Sequence, residues 1–300
     1  MTLSTIGLGC GLLMIGAGLT SLPLLTRERG GTVIPTNPRD QVEIVARNGY
    51  DCPDGLLWRP DGLYISDEGG GRLRKWTAAG TIELHPASPA IQSPEDLVMD
   101  EAGNTYFTDD STGRVWKRAA SGELVDLAGP AQGLRSTEGI ALMPNGHLAV
   151  GDGELHAIYE VTPDGKVSAW AKDIRKPESL TYDNAGGLYV ADNEDNVIYY
   201  LHEGRRTVVL SDPQLSPETI LWTPSGLLIT DSREGRLYRW NRGEPVQVLA
   251  SFGGTLRKVH GVTIDPAGII YVSVQSDLPH RKGYIVRLTP AAPLTVVSAK

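Results

Sequence analysis

Residues 93–110, SPEDLVMDEAGNTYFTDD, decide the fold. An acid follows Pro94, then come a short apolar run, a turn centred on Gly103, a second apolar run and Asp109. The pattern is written six times. It recurs as CPDGLLWRPDGLYISD (52–67), STEGIALMPNGHLAVGD (136–152), KPESLTYDNAGGLYVAD (176–192), SPETILWTPSGLLITD (216–231) and VHGVTIDPAGIIYVSV (259–274). The acid slot holds Asp54, Glu95, Glu138, Glu178, Glu218 and finally His260, at intervals of 41, 43, 40, 40 and 42 residues. A period near 40 with several short strands per unit is the signature of radial repetition. The expected class is therefore all-β: a six-bladed β-propeller with four-stranded blades.

Turn chemistry agrees. Pro60-Asp61-Gly62, Pro144-Asn145-Gly146, Pro224-Ser225-Gly226 and Pro266-Ala267-Gly268 separate the first and second strands. Within 93–127 the four strands read as 97–99, 105–108, 114–118 and 123–127. A glycine (Gly71, Gly113, Gly235, Gly283) opens the third strand, and alternation there puts Leu73, Val115 and Leu237 on one face. The six tryptophans fall at positions expected to pack blade on blade. Both 42–46 and 293–298 read as an outermost strand of the last blade, and the pattern does not choose between them.

Three hundred residues with one period over 52–300 argue for a single closed body at 42–300, preceded by a linker at 30–41 and a hydrophobic segment at 1–29. Residues 2–26 carry no charged side chain and exceed the roughly 20 apolar residues that span a bilayer. They are expected to form an N-terminal hydrophobic helix, serving as a membrane anchor or as a signal segment. Arg27 and Arg29 follow the segment, which favours a cytoplasmic C-terminal side for an anchor, whereas a signal would export the propeller. The protein is thus expected to be membrane-associated or exported, periplasmic or extracellular, with its sidedness open. A net charge of −8 with no basic block excludes a nucleic-acid partner. Cys10 and Cys52 do not make a disulfide framework.

Propeller geometry turns the slot into a site. The innermost strand of each blade lines the central channel, so six slots bring Asp54, Glu95, Glu138, Glu178, Glu218 and His260 to one rim. Five carboxylates in a small mouth raise each other's pKa and need a cation, shared protons or water. Oxygen ligands suit a hard divalent ion, Ca²⁺ first and Mg²⁺ next, while the imidazole leaves Mn²⁺, Fe²⁺ or Zn²⁺ open. The expected metal ligands are Asp54, Glu95, Glu138, Glu178 and Glu218; the expected catalytic groups are Glu218 and His260. His280 stands in a long turn that could reach the same face. A second acidic series, Asp67, Asp109, Asp152, Asp192 and Asp231, precedes turn residues and is expected to cap backbone N–H groups.

Asp54-Gly-Leu-Leu-Trp58 followed by PDGLYISD resembles the opening of the SMP-30/gluconolactonase family of six-bladed, calcium-dependent lactonases. The repeat is also similar to that of NHL-repeat and strictosidine-synthase-like propellers. The gluconolactonase resemblance implies a metal held by slot residues: an acid in the first blade, Asn in the third and fourth, and an Asp in the fifth that doubles as base. Carried over, these are Asp54, Glu138, Glu178 and Glu218. This chain departs from that pattern, with Glu at both Asn positions and a further acid in Glu95. The resulting expectation is a metal-dependent hydrolase of lactones or related esters, taking a small-molecule substrate. A membrane-tethered binding or scaffold propeller without chemistry, and a strictosidine-synthase-like or lyase activity at the same rim, are the alternatives.

Overall fold

The second strand of each blade is sealed between its neighbours. Thr105–Asp109, Leu148–Asp152, Leu188–Asp192, Gly226–Asp231 and Ile270–Gln275 are buried throughout, and Gly62–Asp67 is buried after its first residue. Both faces of these strands meet protein, so their sequences read as near-continuous apolar runs rather than as alternation. Outermost strands behave oppositely: Gly80–His85 and Arg205–Ser211 are largely exposed. The computed structural model describes residues 31–276 and 283–296.

Six antiparallel sheets result, one per repeat, and the innermost strand of each packs against that of the next until blade 6 returns to blade 1. Blade 1 spans 53–85, blade 2 94–128, blade 3 137–172, blade 4 177–211, blade 5 217–253 and blade 6 258–289. The apolar core is correspondingly divided into clusters between adjacent blades, for example Leu73, Leu97, Phe107 and Trp116 between blades 1 and 2. Leu73, Val115 and Leu237 are buried as the alternation requires.

Closure is made by the N-terminal side. Gln41–Tyr50 pairs antiparallel with Gly283–Thr289 and completes blade 6, while residues 290–296 form no strand. Within the stretch read as a linker, Thr32–Pro35 pairs with Gln247–Gly253 as a fifth strand of blade 5. Four residues are too few to show a period in the sequence, and this edge strand is held by its ladder and by two alternate buried residues, Val33 and Pro35. Trp170 departs from the packing expectation: it lies on an outermost strand and is 38% exposed. The hydrophobic segment 2–26 and His280 lie outside the described residues. Among the described residues, no helix is long and apolar enough to cross a membrane.

The second acidic series holds the loops, as capping predicts. All five carboxylates are fully buried. Asp152 accepts from the backbone N–H of Arg135 (2.7 Å), Ser136 (3.3 Å) and Leu155 (3.0 Å). Asp192 does the same with Arg175, Lys176 and Asp195, and Asp231 with Ser216, Arg233 and Glu234. Each therefore ties the segment entering its blade's innermost strand to the turn that follows the second. Four residues beyond each Asp the backbone turns left-handed, at Gly71, Gly113, His156, Asn196 and Gly235. At Gly113 a Cβ would also stand 2.3 Å from the Arg135 carbonyl oxygen, so two constraints select glycine there.

Candidate active site at the channel mouth

The pairing of first and second strands is interrupted at the slot in every blade. Register shifts fall between Pro53 and Leu56, Pro94 and Leu97, Thr137 and Ile140, Pro177 and Ser179, Pro217 and Ile220, and Val259 and Val262. A bulge re-aims the side chain it carries. At four of the six slots a hydroxyl on the second strand of the preceding blade then fixes the slot backbone. Ser66 donates to the carbonyl of Glu95, Thr108 to that of Glu138, Thr230 to that of His260 and Ser273 to that of Asp54. Those slot positions are thereby set by neighbouring blades.

The slot side chains meet in two groups. His260 Nδ1 lies 3.0 Å from Asp54 Oδ2 and 3.4 Å from Glu218 Oε1, ion-pair contacts that miss the angle of a hydrogen bond. Its Nε2 is buried and has no hydrogen-bond partner among the described residues. Glu218 also accepts from Ser232 Oγ at 2.7 Å. On the other side, Lys176 Nζ lies 2.7 Å from Glu178 Oε2 and 3.6 Å from Glu138 Oε1.

Charge follows geometry. Burial raises Asp54, Glu95, Glu138 and Glu178, because a desolvated carboxylate is costly. Glu95 lies well above the usual range, with Asp54, Glu68 and Glu138 adding like charge. Glu138 is pushed up to about 7 against the opposing pull of Lys176. Glu178 is pushed well up by burial and by its neighbours Glu218 and Glu138, and Lys176 only partly offsets this. Glu218 goes the other way: burial opposes its charge, but His260 and Ser232 outweigh burial and hold it low. Burial likewise opposes charge on His260, and Asp54 and Glu218 overcome it, raising the imidazole well above its ordinary value.

Several rim groups are not slot residues. In blades 1, 2 and 5 the residue after the buried Asp reaches the rim groups: Glu68 accepts from Cys52 Sγ (2.9 Å) and Ser93 Oγ (3.1 Å), Asp110 accepts from Ser136 Oγ, and Ser232 donates to Glu218. Sequence reasoning passed over Glu68, Asp110, Ser232 and Lys176. The available signal was positional: two residues before the slot, blades 1, 2, 3 and 5 have Cys52, Ser93, Ser136 and Ser216, whereas blade 4 has Lys176 and blade 6 the exposed Lys258. Below the mouth, a cavity of about 170 Å³ lined by Leu56, Leu97, Ile140, Ile220 and Val262 holds one carboxyl, Asp96, which burial pushes up to about 7. Larger clefts of about 600 and 940 Å³ open at the opposite ends of the strands and contain no slot residue.

One carboxylate of each of Glu95, Asp110 and Glu138 brings oxygens within 4.8 Å of one another, an all-oxygen set that fits a hard divalent cation. Of the expected ligands, Glu95 and Glu138 stand in this cluster. Asp54 and Glu218 face His260 instead, and Glu178 faces Lys176.

Fold and site define a six-bladed β-propeller with an acidic channel mouth in which, among the described residues, Lys176 and His260 stand against the carboxyl groups. No family model and no curated protein matches the sequence. Solved structures do match. The chain is similar to a gluconolactonase from Xanthomonas campestris at 17% identity and a TM-score of 0.69, over 88% of this chain and 99% of that one. It is similar to a calcium-binding protein, regucalcin, from Agrobacterium tumefaciens at 14% identity and a TM-score of 0.64, over 85% and 97%. It is also similar to a catalytically inactive histidine-to-alanine variant of virginiamycin B lyase from Staphylococcus aureus, solved with quinupristin, at 14% identity and a TM-score of 0.62, over 84% and 100%. At these identities the likeness is one of fold.

Proposed function

We propose that the protein hydrolyses lactones or related small esters at the channel mouth. One observation carries the reading: Glu218 and His260, 3.4 Å apart, are displaced in opposite directions, the carboxyl low and the imidazole high. An ion pair shifts its two members in this way, and the same pairing keeps one group in its base form and the other in its acid form through neutral pH, as a base and an acid at one carbonyl require. Glu218 is the base, taking a proton from the water that adds to the carbonyl carbon. His260 is the acid, returning a proton to the ring oxygen as the acyl C–O bond breaks. Asp54 keeps the imidazole charged, and the unpartnered Nε2 is the position from which a proton is given up. The names of two structural neighbours, a gluconolactonase and a calcium-binding regucalcin, support the substrate class and the ion.

Glu95, Asp110 and Glu138 would hold a divalent cation, Ca²⁺ by the hardness of the donors. When bound, it supplies Lewis acidity toward a carbonyl oxygen and a more acidic water. The length and charge of residues 2–26 support placing this activity at a membrane or outside the cytoplasm.

A pH-dependent response to calcium follows. Glu95 and Glu138 are raised, so their protonation stabilises the ion-free fold below their ordinary values, and that contribution is lost as pH rises through the raised ones. An ion must displace those protons, so it binds better as pH rises. The melting-temperature gain on replacing EDTA by excess Ca²⁺ should be small near pH 5 and grow toward pH 8. A gain that is absent, or that grows toward acid, removes the metal from the reading. A lactone panel assayed with and without chelator tests the activity itself.

His260 also supports a second reading. The variant lyase neighbour is described as inactive after a histidine-to-alanine change. A rim histidine acting on a cyclic ester by elimination is therefore the competing chemistry.

A further inference from the structure

We propose that Lys176 is a built-in counter-cation that occupies the Glu178 side of the rim and confines a divalent ion to Glu95, Asp110 and Glu138. The inference rests on the metal part of the reading above, not on the substrate. Lys176 Nζ sits between two slot carboxylates, 2.7 Å from Glu178 and 3.6 Å from Glu138. Glu178 itself is well buried, with only 11% of its side chain exposed, so a cation is needed there if it is to ionise. An ammonium is a compact point charge, and on a tether it cannot dissociate.

The repeat shows what was exchanged. Two residues before the slot, blades 1, 2 and 3 carry a small donor that serves the rim acids. Cys52 donates to Glu68, Ser93 to Glu68 and Glu95, and Ser136 to Asp110 and Glu138. Lys176 occupies the same position in blade 4 and serves Glu178 and Glu138, but brings a positive charge. Blades 2 and 3 therefore have uncharged donors around carboxylates that converge, and the cation must come from solution. Blade 4 carries its own. The ordinary alternative is that Lys176 is a structural ion pair whose loss merely destabilises the fold. The two accounts differ in what calcium does to a variant lacking the charge.

The test uses the full chain with Lys176→Met, Lys176→Gln, Lys176→Arg and the double variant Lys176→Met/Glu178→Gln. Calcium stoichiometry is read by isothermal titration and equilibrium dialysis, and stability by thermal melts. Lys176→Met and Lys176→Gln should each bind one more Ca²⁺ than the wild type and recover their lost melting temperature when it is added. Lys176→Arg should keep the wild-type stoichiometry, and adding Glu178→Gln should abolish the extra ion. A wild type that binds none beside a Lys176→Met that binds one still supports the role of Lys176, while removing the ion from the proposed function. Wild-type stoichiometry in both uncharged variants, or failure of both to bind an additional ion in any state, overturns the proposal. Lactone turnover is scored separately, so its absence leaves the stoichiometry result standing.

Discussion

Glu218→Gln should lower kcat/KM on a hydrolysed lactone by about 10²–10⁴-fold, the usual worth of a positioned proton-transfer group. The substitution keeps the shape of the side chain and an oxygen for Ser232 but gives up one of the two carboxylates that pair with His260, so some loss of melting temperature is expected and activity is compared per folded enzyme. The pH profile carries the assignment. Glu218 is held below its ordinary value, so the base form is present across neutral pH and is lost only as pH falls through that lowered value. His260 is held high, so the acid form is lost only as pH rises through the raised imidazole value. The wild-type profile should be flat through neutrality with both limbs displaced outward. In Glu218→Gln the residual activity should lose its acid limb. A variant with undiminished kcat/KM, or with the limb unchanged, means Glu218 is not the base.

His260→Ala should be the most destabilising single change at the rim. It leaves Asp54 and Glu218 buried beside each other without their shared cation, and removing one partner of a buried ion pair costs about 3–5 kcal/mol. The pH window follows from the shifts. The raised imidazole contributes stability that is full below its ordinary value and lost as pH rises through the raised one. The lowered Glu218 contributes stability present above its ordinary value and lost as pH falls through the lowered one. The deficit of the variant in urea unfolding should therefore be greatest between these limits and shrink toward about pH 3 and toward alkaline pH. A deficit that is constant with pH would mean that the ring acts by packing alone.

The ring was legible because a strict spacing of acids, turns and apolar runs has one three-dimensional solution. The buried Asp series was legible for the same reason: Asp before a turn has a local partner in the backbone. The charge state of the mouth was not. Reading the slots alone counts five carboxylates and one imidazole, and that count leaves the mouth short of positive charge. Lys176 lies outside the slot, and only the bulge at Pro177 and the closeness of blades 3 and 4 bring its ammonium onto Glu138 and Glu178. Asp110 was hidden by its neighbour: in Asp109-Asp110 one residue is a fully buried cap and the other a rim acid, because the strand Thr105–Asp109 ends between them and Asp110 opens a 3-10 turn. Which chain end closes blade 6 depended on pairing partners more than 230 residues away, to which local pattern is blind.

Solvent-oxygen labelling of the product tests the central claim most directly. With a lactone turned over by the full-length protein in H₂¹⁸O, hydrolysis by acyl–oxygen cleavage places one labelled oxygen in the new carboxylate and none in the alcohol. That is the result predicted here, and it should disappear together with turnover in Glu218→Gln. Ring opening without label in either the carboxylate or a hydroxyl would instead show elimination across the C–O bond. It would transfer the rim from a hydrolase to a lyase and leave Glu218 without the water it is assigned to activate.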